Sequence, residues 1–301
     1  MGIATNGDAR PRHFEVDGLR IEALEWGPEG GVPVLALHGW MDHSGGFQKL
    51  APRLTGCHVV ALDLSGQGLS GHRAAHATYN IWDDLPQIVD ILDLLGWQEC
   101  VVMGHSRGAN ISTLLAVSQP DRVRALIALD SIVTEPTEDE AVVRTLRAFV
   151  DQTRASRTRP PRTFESRAAY VKRRREQGNS ERTSEALADR ALEAVEDGVR
   201  MRGDARLFAS SAMKFTPKQV EVVLASIQCP VLNIWAEGGI KATRPKTLEI
   251  AALAENLIGD YEGLDLPGDH HFHLDPDVAQ RIAEAVLDFL ERKGGTVTTA
   301  L

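Results

Sequence analysis

Cysteine is scarce in this chain. Its 301 residues hold three, Cys57, Cys100 and Cys229, odd in number and far apart. That count excludes a disulfide-built scaffold and a zinc site of paired cysteines, and it makes a reducing compartment the default. Cys57 and Cys100 border apolar segments and Cys229 precedes Pro230, so small buried thiols are expected. Long apolar runs are missing too, since no stretch approaches the roughly 20 residues that span a bilayer. The opening residues, MGIATNGDARPRHFEVDG, are polar and carry no apolar core of signal-peptide length. Asn6 stands where a myristoylation signal has Ser or Thr. A cytoplasmic protein with no membrane partner is the expectation. Basic excess is also absent: 33 Lys and Arg face 42 Asp and Glu, a net charge of -9. Nucleic acid and anionic lipid both repel such a surface, so no nucleic-acid partner is expected. Nothing in the sequence signals an oligomeric state.

What is present is globular: 43% hydrophobic and 25% charged residues, enough for one large α/β domain with an inserted lobe. His13–Val16 and Leu19–Leu24 alternate around Asp17-Gly18 as an antiparallel hairpin does. Apolar runs follow at Val32–Leu37, Val59–Leu62, Val101–Met103, Leu126–Leu129 and Val231–Trp235. Runs of this uninterrupted kind are buried on both faces, as in a parallel sheet covered by helices. Helical spacing over Ile81–Leu95, Asn110–Ser118 and Asp277–Leu290 supplies covering helices. The sum is an α/β fold, a doubly wound, mostly parallel sheet. Residues 132–216 differ, because strand signals vanish and the segment reads as charged helices. The division is therefore 1–131 and 217–301 for the sheet domain and 132–216 for an inserted helical lobe. Between Arg154 and Arg175 lie nine Lys or Arg residues and one acid, Glu165. A solvated surface explains them; an anionic group on a substrate or partner is the sharper alternative.

One strand stops at an unusual place. In VVMGHSRGAN the apolar run ends at Gly104, shows Ser106, and meets Gly108. A side chain presented on a sharp strand-to-helix turn needs an uncommon backbone conformation and neighbours without Cβ atoms. Ser106 then stands at the carboxyl edge of the sheet, where open α/β folds bind ligands, beside the positive end of a helix. Serine is a poor nucleophile without a base in hydrogen-bond reach and an acid to orient that base. The late segment LPGDHHFHLD offers His270 as the base, with His271 turned away. Two backbone N–H groups must hold the developing oxyanion. Arg107 supplies one, and Trp40, in the loop after Val32–Leu37, supplies the other. His38, Gly39, His105 and His273 are assigned to the substrate site, with the Trp40 indole at an acyl pocket. The Arg107 side chain either meets a substrate carboxylate or packs along its helix. A serine elbow needs no metal, and the three late histidines find no upstream Asp/His set at ligand spacing. Neither metal nor cofactor is expected.

Taken together, Leu37-His38-Gly39-Trp40, the run Asp63 to Ser70, Gly104-His105-Ser106-Arg107-Gly108 and Gly268-Asp269-His270 resemble the α/β-hydrolase fold family. Within it, HGWMD and PGDHHFH are similar to the serine hydrolase-like (kraken-type) branch. The resemblance implies a helical cap and a Ser-acid-His order, with Asp63 and its glycine turn structural. It also implies an aspartate after the penultimate strand, where this sequence has Gly239. Asp130, closing the strand before, is the favoured acid, and Glu237 is the alternative. The function expected is a serine hydrolase of the carboxylesterase type, acting on a small-molecule ester or thioester. Carbon–carbon bond hydrolysis, cofactor-free oxygenase or perhydrolase chemistry, and a non-catalytic binding protein are the alternatives.

Overall fold

Alternating apolar and charged residues make Arg10–Val16 (β1) and Leu19–Trp26 (β2) an antiparallel pair. Their turn, Asp17-Gly18, takes positive φ at both residues, 53° and 68°, as a two-residue hairpin loop requires. In this computed structural model, residues 6–294 are described. Val32–Leu37 (β3), Cys57–Leu62 (β4), Cys100–His105 (β5) and Val123–Leu129 (β6) are buried almost throughout. Leu85–Leu94 (α1) and Arg107–Ser118 (α2) separate the last three.

After β6 comes the inserted segment. It holds Val142–Ser156 (α3), Thr163–Phe164 (β7), Arg167–Glu176 (α4), Glu181–Ala191 (α5), Leu192–Val195 (β8) and Gly198–Met201 (β9). The sheet domain resumes with Pro217–Ala225 (α6), Val231–Gly238 (β10), Ile240–Thr243 (α7), Pro245–Leu257 (α8), Tyr261–Asp269 (β11) and Pro276–Arg292 (α9).

The strand order is β1-β2-β4-β3-β5-β6-β10-β11. Every pairing from β4 to β11 is parallel, and β2 runs against its neighbours. Period-two alternation sends Val34, Val59, Val101 and Ile127 to one face, where Ile282, Val286 and Phe289 of α9 cover them. Leu35, Val60 and Val102 face the other side, against Ile88 and Ile91 of α1 and Ile111 of α2. Leu126 and Trp235 extend that face under α6 and α8. Fully burying each such side chain stabilises the fold by about 1.5–3 kcal/mol. The consequence for function is positional: β3, β4, β5, β6, β10 and β11 all end at one edge.

Three expectations need correction. The inserted segment is not helical throughout, since β7, β9 and β8 form a small antiparallel sheet. Its strands are short and half-exposed, so no continuous apolar run announced them. The first covering helix starts at Leu85 rather than Ile81, with Pro86 in its first turn. The second starts at Arg107, immediately after Ser106, rather than at Asn110. The basic stretch is largely paired or stacked on the surface. Arg167 reaches Glu185 and Asp189, Arg173 reaches Glu176, and Arg159 and Arg162 lie over Phe208 and Phe164. Burial pushes the Cys57 and Cys100 thiols up to about 12, which leaves them inert. Among the described residues, no helix is long and apolar enough to cross a membrane.

Candidate active site

The β5–α2 junction is sterically extreme. Ser106 has φ 53° and ψ -116°, a region L-residues rarely enter. The turn is tight enough that a Cβ on Gly104 would lie 2.4 Å from the Gly108 carbonyl carbon, and one on Gly108 only 1.9 Å from the Leu37 carbonyl oxygen. Neither position tolerates a side chain. The strain is held by the ladder on both sides: the Ser106 N–H donates to Leu129 O at 3.0 Å, and the Ser106 carbonyl accepts from Asn110 N–H at 3.2 Å. The Ser106 hydroxyl is thereby set at the first turn of α2.

The loop after β11 brings His270 to this hydroxyl from 164 residues away. Its Nε2 lies 2.9 Å from Ser106 Oγ, and its Nδ1 lies 2.6 Å from Asp130 Oδ2. With the carboxylate accepting, Nδ1 carries the proton and Nε2 offers its lone pair to the hydroxyl. Asp130 follows β6 with φ 46° and is fully buried. Its Oδ1 accepts the Ala236 N–H at 3.1 Å, and its Oδ2 accepts the Ile240 N–H at 3.0 Å. Gly239 makes room for this carboxylate, because a Cβ there would stand 2.2 Å from Asp130 Oδ2. Glu237 is exposed and takes no part in these contacts.

The loop after β3 lies against the elbow. A Cβ on Gly39 would be 3.4 Å from Ser106 Cβ, so the Gly39-Trp40 peptide runs beside the hydroxyl. His38 locks that loop: its Nδ1–H donates to Gly39 O at 2.7 Å, and its Nε2 accepts the Leu64 N–H at 2.9 Å. Burial holds the His38 imidazole below its ordinary pKa, although Asp42 and Asp63 nearby pull upward. Met41, at φ 55°, donates its N–H to Gln67 Oε1 at 2.7 Å. Asp63 is fully buried and accepts from Ser44 N–H, Leu69 N–H and Arg190 of α5. Burial raises its pKa, and the Arg190 guanidinium with these hydrogen bonds outweighs that and holds the carboxyl below its usual range. The Asp63 loop is thus a brace between the sheet and the inserted segment.

Several assignments change. His38, His105 and His273 are completely buried and do not line open space, so none of them contacts a substrate from where it stands. His105 Nε2–H donates to the His270 carbonyl at 2.7 Å, which makes it a support for the base. His271 is buried rather than turned away, its Nδ1–H donating to Asn179 Oδ1 at 2.8 Å. The Arg107 guanidinium donates to Tyr79 O at 2.9 Å and lies near Asp84, an arrangement that anchors it along the helix. Trp40 is half-exposed, its Nε1–H donates to Leu207 O of the inserted segment at 2.9 Å, and its ring meets Phe208 edge-on. Trp40 and Arg107 share a cavity of about 340 Å³ with Ile81, Trp82, Met213 and Phe215. Sequence reasoning missed the Ala236 and Ile240 donors, because backbone donors have no residue signature, and it missed the Gln67 side-chain brace on Met41. It also missed Asp269, which accepts from Ser180 N–H at 2.6 Å and Thr183 Oγ1–H at 2.8 Å on α5.

Comparison with known proteins places the fold. The alpha/beta hydrolase fold family matches residues 32–275. A serine hydrolase-like protein of Dictyostelium discoideum is 30% identical over 300 residues, covering 95% of this chain and 82% of that protein. The crystal structure of a hypothetical protein from Pseudomonas aeruginosa superposes with a TM-score of 0.88 at 34% identity, over 94% of this chain and 99% of the other. A thioesterase domain from the curacin biosynthetic pathway superposes at 0.78 with 27% identity, over 93% and 100%. The chain belongs to the α/β-hydrolase fold family, in its serine hydrolase-like branch.

Proposed function

We propose that this hydrolase cleaves a small-molecule carboxylic ester or thioester through an acyl-enzyme on Ser106. One observation carries the reading: a single imidazole, His270, bridges a strained serine hydroxyl at 2.9 Å and a buried carboxylate, Asp130, at 2.6 Å. His270 Nε2 takes the Ser106 proton as Oγ attacks the carbonyl carbon, and Asp130 holds the ring in the tautomer that can do so. The tetrahedral oxyanion is met by the N–H groups of Arg107, at the open first turn of α2, and Trp40. Collapse expels the alcohol or thiol with the proton from His270. Water then repeats the sequence with the same base and frees the acid. Residues 132–216 act as the cap, and the cavity beside Trp40 accommodates the acyl group. The thioester arm draws on the likeness to the thioesterase domain.

A fluorophosphonate probe and p-nitrophenyl esters of graded chain length test this. Wild type is expected to label and turn over ester, and Ser106→Ala to lose labelling with a fall in kcat of about 10⁴–10⁶-fold. Absence of labelling in folded wild type rejects the proposal.

A further inference from the structure

Behind His270 lies a second group of polar side chains that the acyl-transfer reading does not use. Asp42, from the loop after β3, His105, from the end of β5, and His273, three residues past the base, converge with one donor atom each within 4.8 Å of the others. All three are buried, at 3%, 0% and 0% exposure. Among the described residues, Asp42 Oδ2, His105 Nδ1 and both ring nitrogens of His273 have no hydrogen-bond partner. Leaving one such group unpaired costs about 1–3 kcal/mol, so three buried side chains that converge with unpaired atoms call for an occupant.

The donor chemistry is that of a cation site. His105 donates Nε2–H to the His270 carbonyl, so its tautomer is fixed and its Nδ1 presents a bare lone pair. That is the arrangement by which a backbone carbonyl orients a metal-ligating histidine. Among the described residues, Asp42 accepts only the neighbouring His43 N–H, on Oδ1 at 2.8 Å. His271 stands beside the group but spends both nitrogens, on Asn179 and Arg174.

We propose that Asp42, His105 and His273 form a buried site for one divalent transition-metal ion, with zinc(II) the best fit. Two imidazoles and a carboxylate suit zinc, iron, cobalt and nickel and disfavour magnesium or calcium, which take oxygen ligands. Bond lengths of about 2.0–2.2 Å require each ligand to move inward by less than about 1 Å. Through the His105-to-His270 hydrogen bond, an ion here stiffens the peptide that carries the base. The site does not depend on the hydrolytic reading.

The experiment starts from protein stripped with chelator and uses zinc(II) and cobalt(II) as probes. Elemental analysis after gel filtration is expected to find one zinc per chain in wild type and in Ser106→Ala, and cobalt to give the visible bands of a low-coordinate site. Asp42→Asn and His273→Gln are expected to bind at least tenfold more weakly, with circular dichroism confirming their fold. Should either variant fail to fold, ¹⁵N-histidine spectra of wild type decide alone: zinc shifts His105 Nδ1 and one His273 nitrogen. Substoichiometric zinc in wild type, equal binding by the variants, or shifts confined to the exposed His13, His72 and His76 overturns the proposal and assigns the group to internal water.

Discussion

β6 and β10 lie side by side and end at the same edge, yet they finish differently. β6 closes on Asp130, whose backbone is pushed to φ 46° so that its carboxylate turns toward His270. β10 is followed by Gly239, with no side chain at all, and its neighbour's carboxylate takes the N–H groups of Ala236 in β10 and Ile240 at the start of α7. The family resemblance calls for an aspartate at the second place, and this chain carries one at the first. The difference teaches that an orienting acid is a location beside the imidazole rather than a position in a motif. Either strand can fill that location, provided the other yields the space and the donors.

The sharpest way to break this comparison is Asp130→Asn. It keeps the shape and loses the tautomer control, and kcat for ester hydrolysis should fall by about 10⁴-fold with KM little changed. Next comes Gly239→Ala, which leaves every polar group in place. Its Cβ meets Asp130 Oδ2 at 2.2 Å, so the carboxylate must shift, and a loss of about 10²-fold in kcat is expected from misplacement alone. A third measurement asks whether the loop after β3 is as rigidly held as the two strand ends. The folded-state pKa of His38 lies below its ordinary 6.5, so the unfolded chain binds the extra proton. Stability from this residue is therefore complete above 6.5 and is lost as pH falls below it. Tm measured against pH should decline there in wild type and less steeply in His38→Gln. Asp63, also held below its ordinary value, acts only near and below 3.8, which keeps the two windows apart. The smallest effect is expected from Glu237→Gln: exposed and, among the described residues, without a hydrogen bond to the imidazole, it should change kcat/KM by no more than about twofold. A large loss there with Asp130→Asn unaffected would invert the assignment.

The sheet was legible because buried parallel strands cannot hide their composition: Val32–Leu37 was expected to the residue, and Cys57–Leu62 and Cys100–His105 differ only at their ends. The elbow was legible because its sterics demand glycine at 104 and 108. β11 was not, since an edge strand with Pro267 and mostly half-exposed side chains carries no apolar signature. Asp130 stayed one of two candidates because its role rests on Ala236 and Ile240 N–H groups, which every sequence has. The burial of His38, His105 and His273 was illegible for a related reason. Histidine has the same letter whether it touches a ligand, supports a loop or waits for an ion, and only three-dimensional convergence separates these fates.

Asp269 gives the molecule a mechanical character. One residue before the base, it grips Ser180 and Thr183 at the start of α5, so roof and imidazole are bolted to one another. On the proposed mechanism, lifting α5 away from the sheet would pull His270 off the Ser106 hydroxyl, and an open molecule would be a disarmed one.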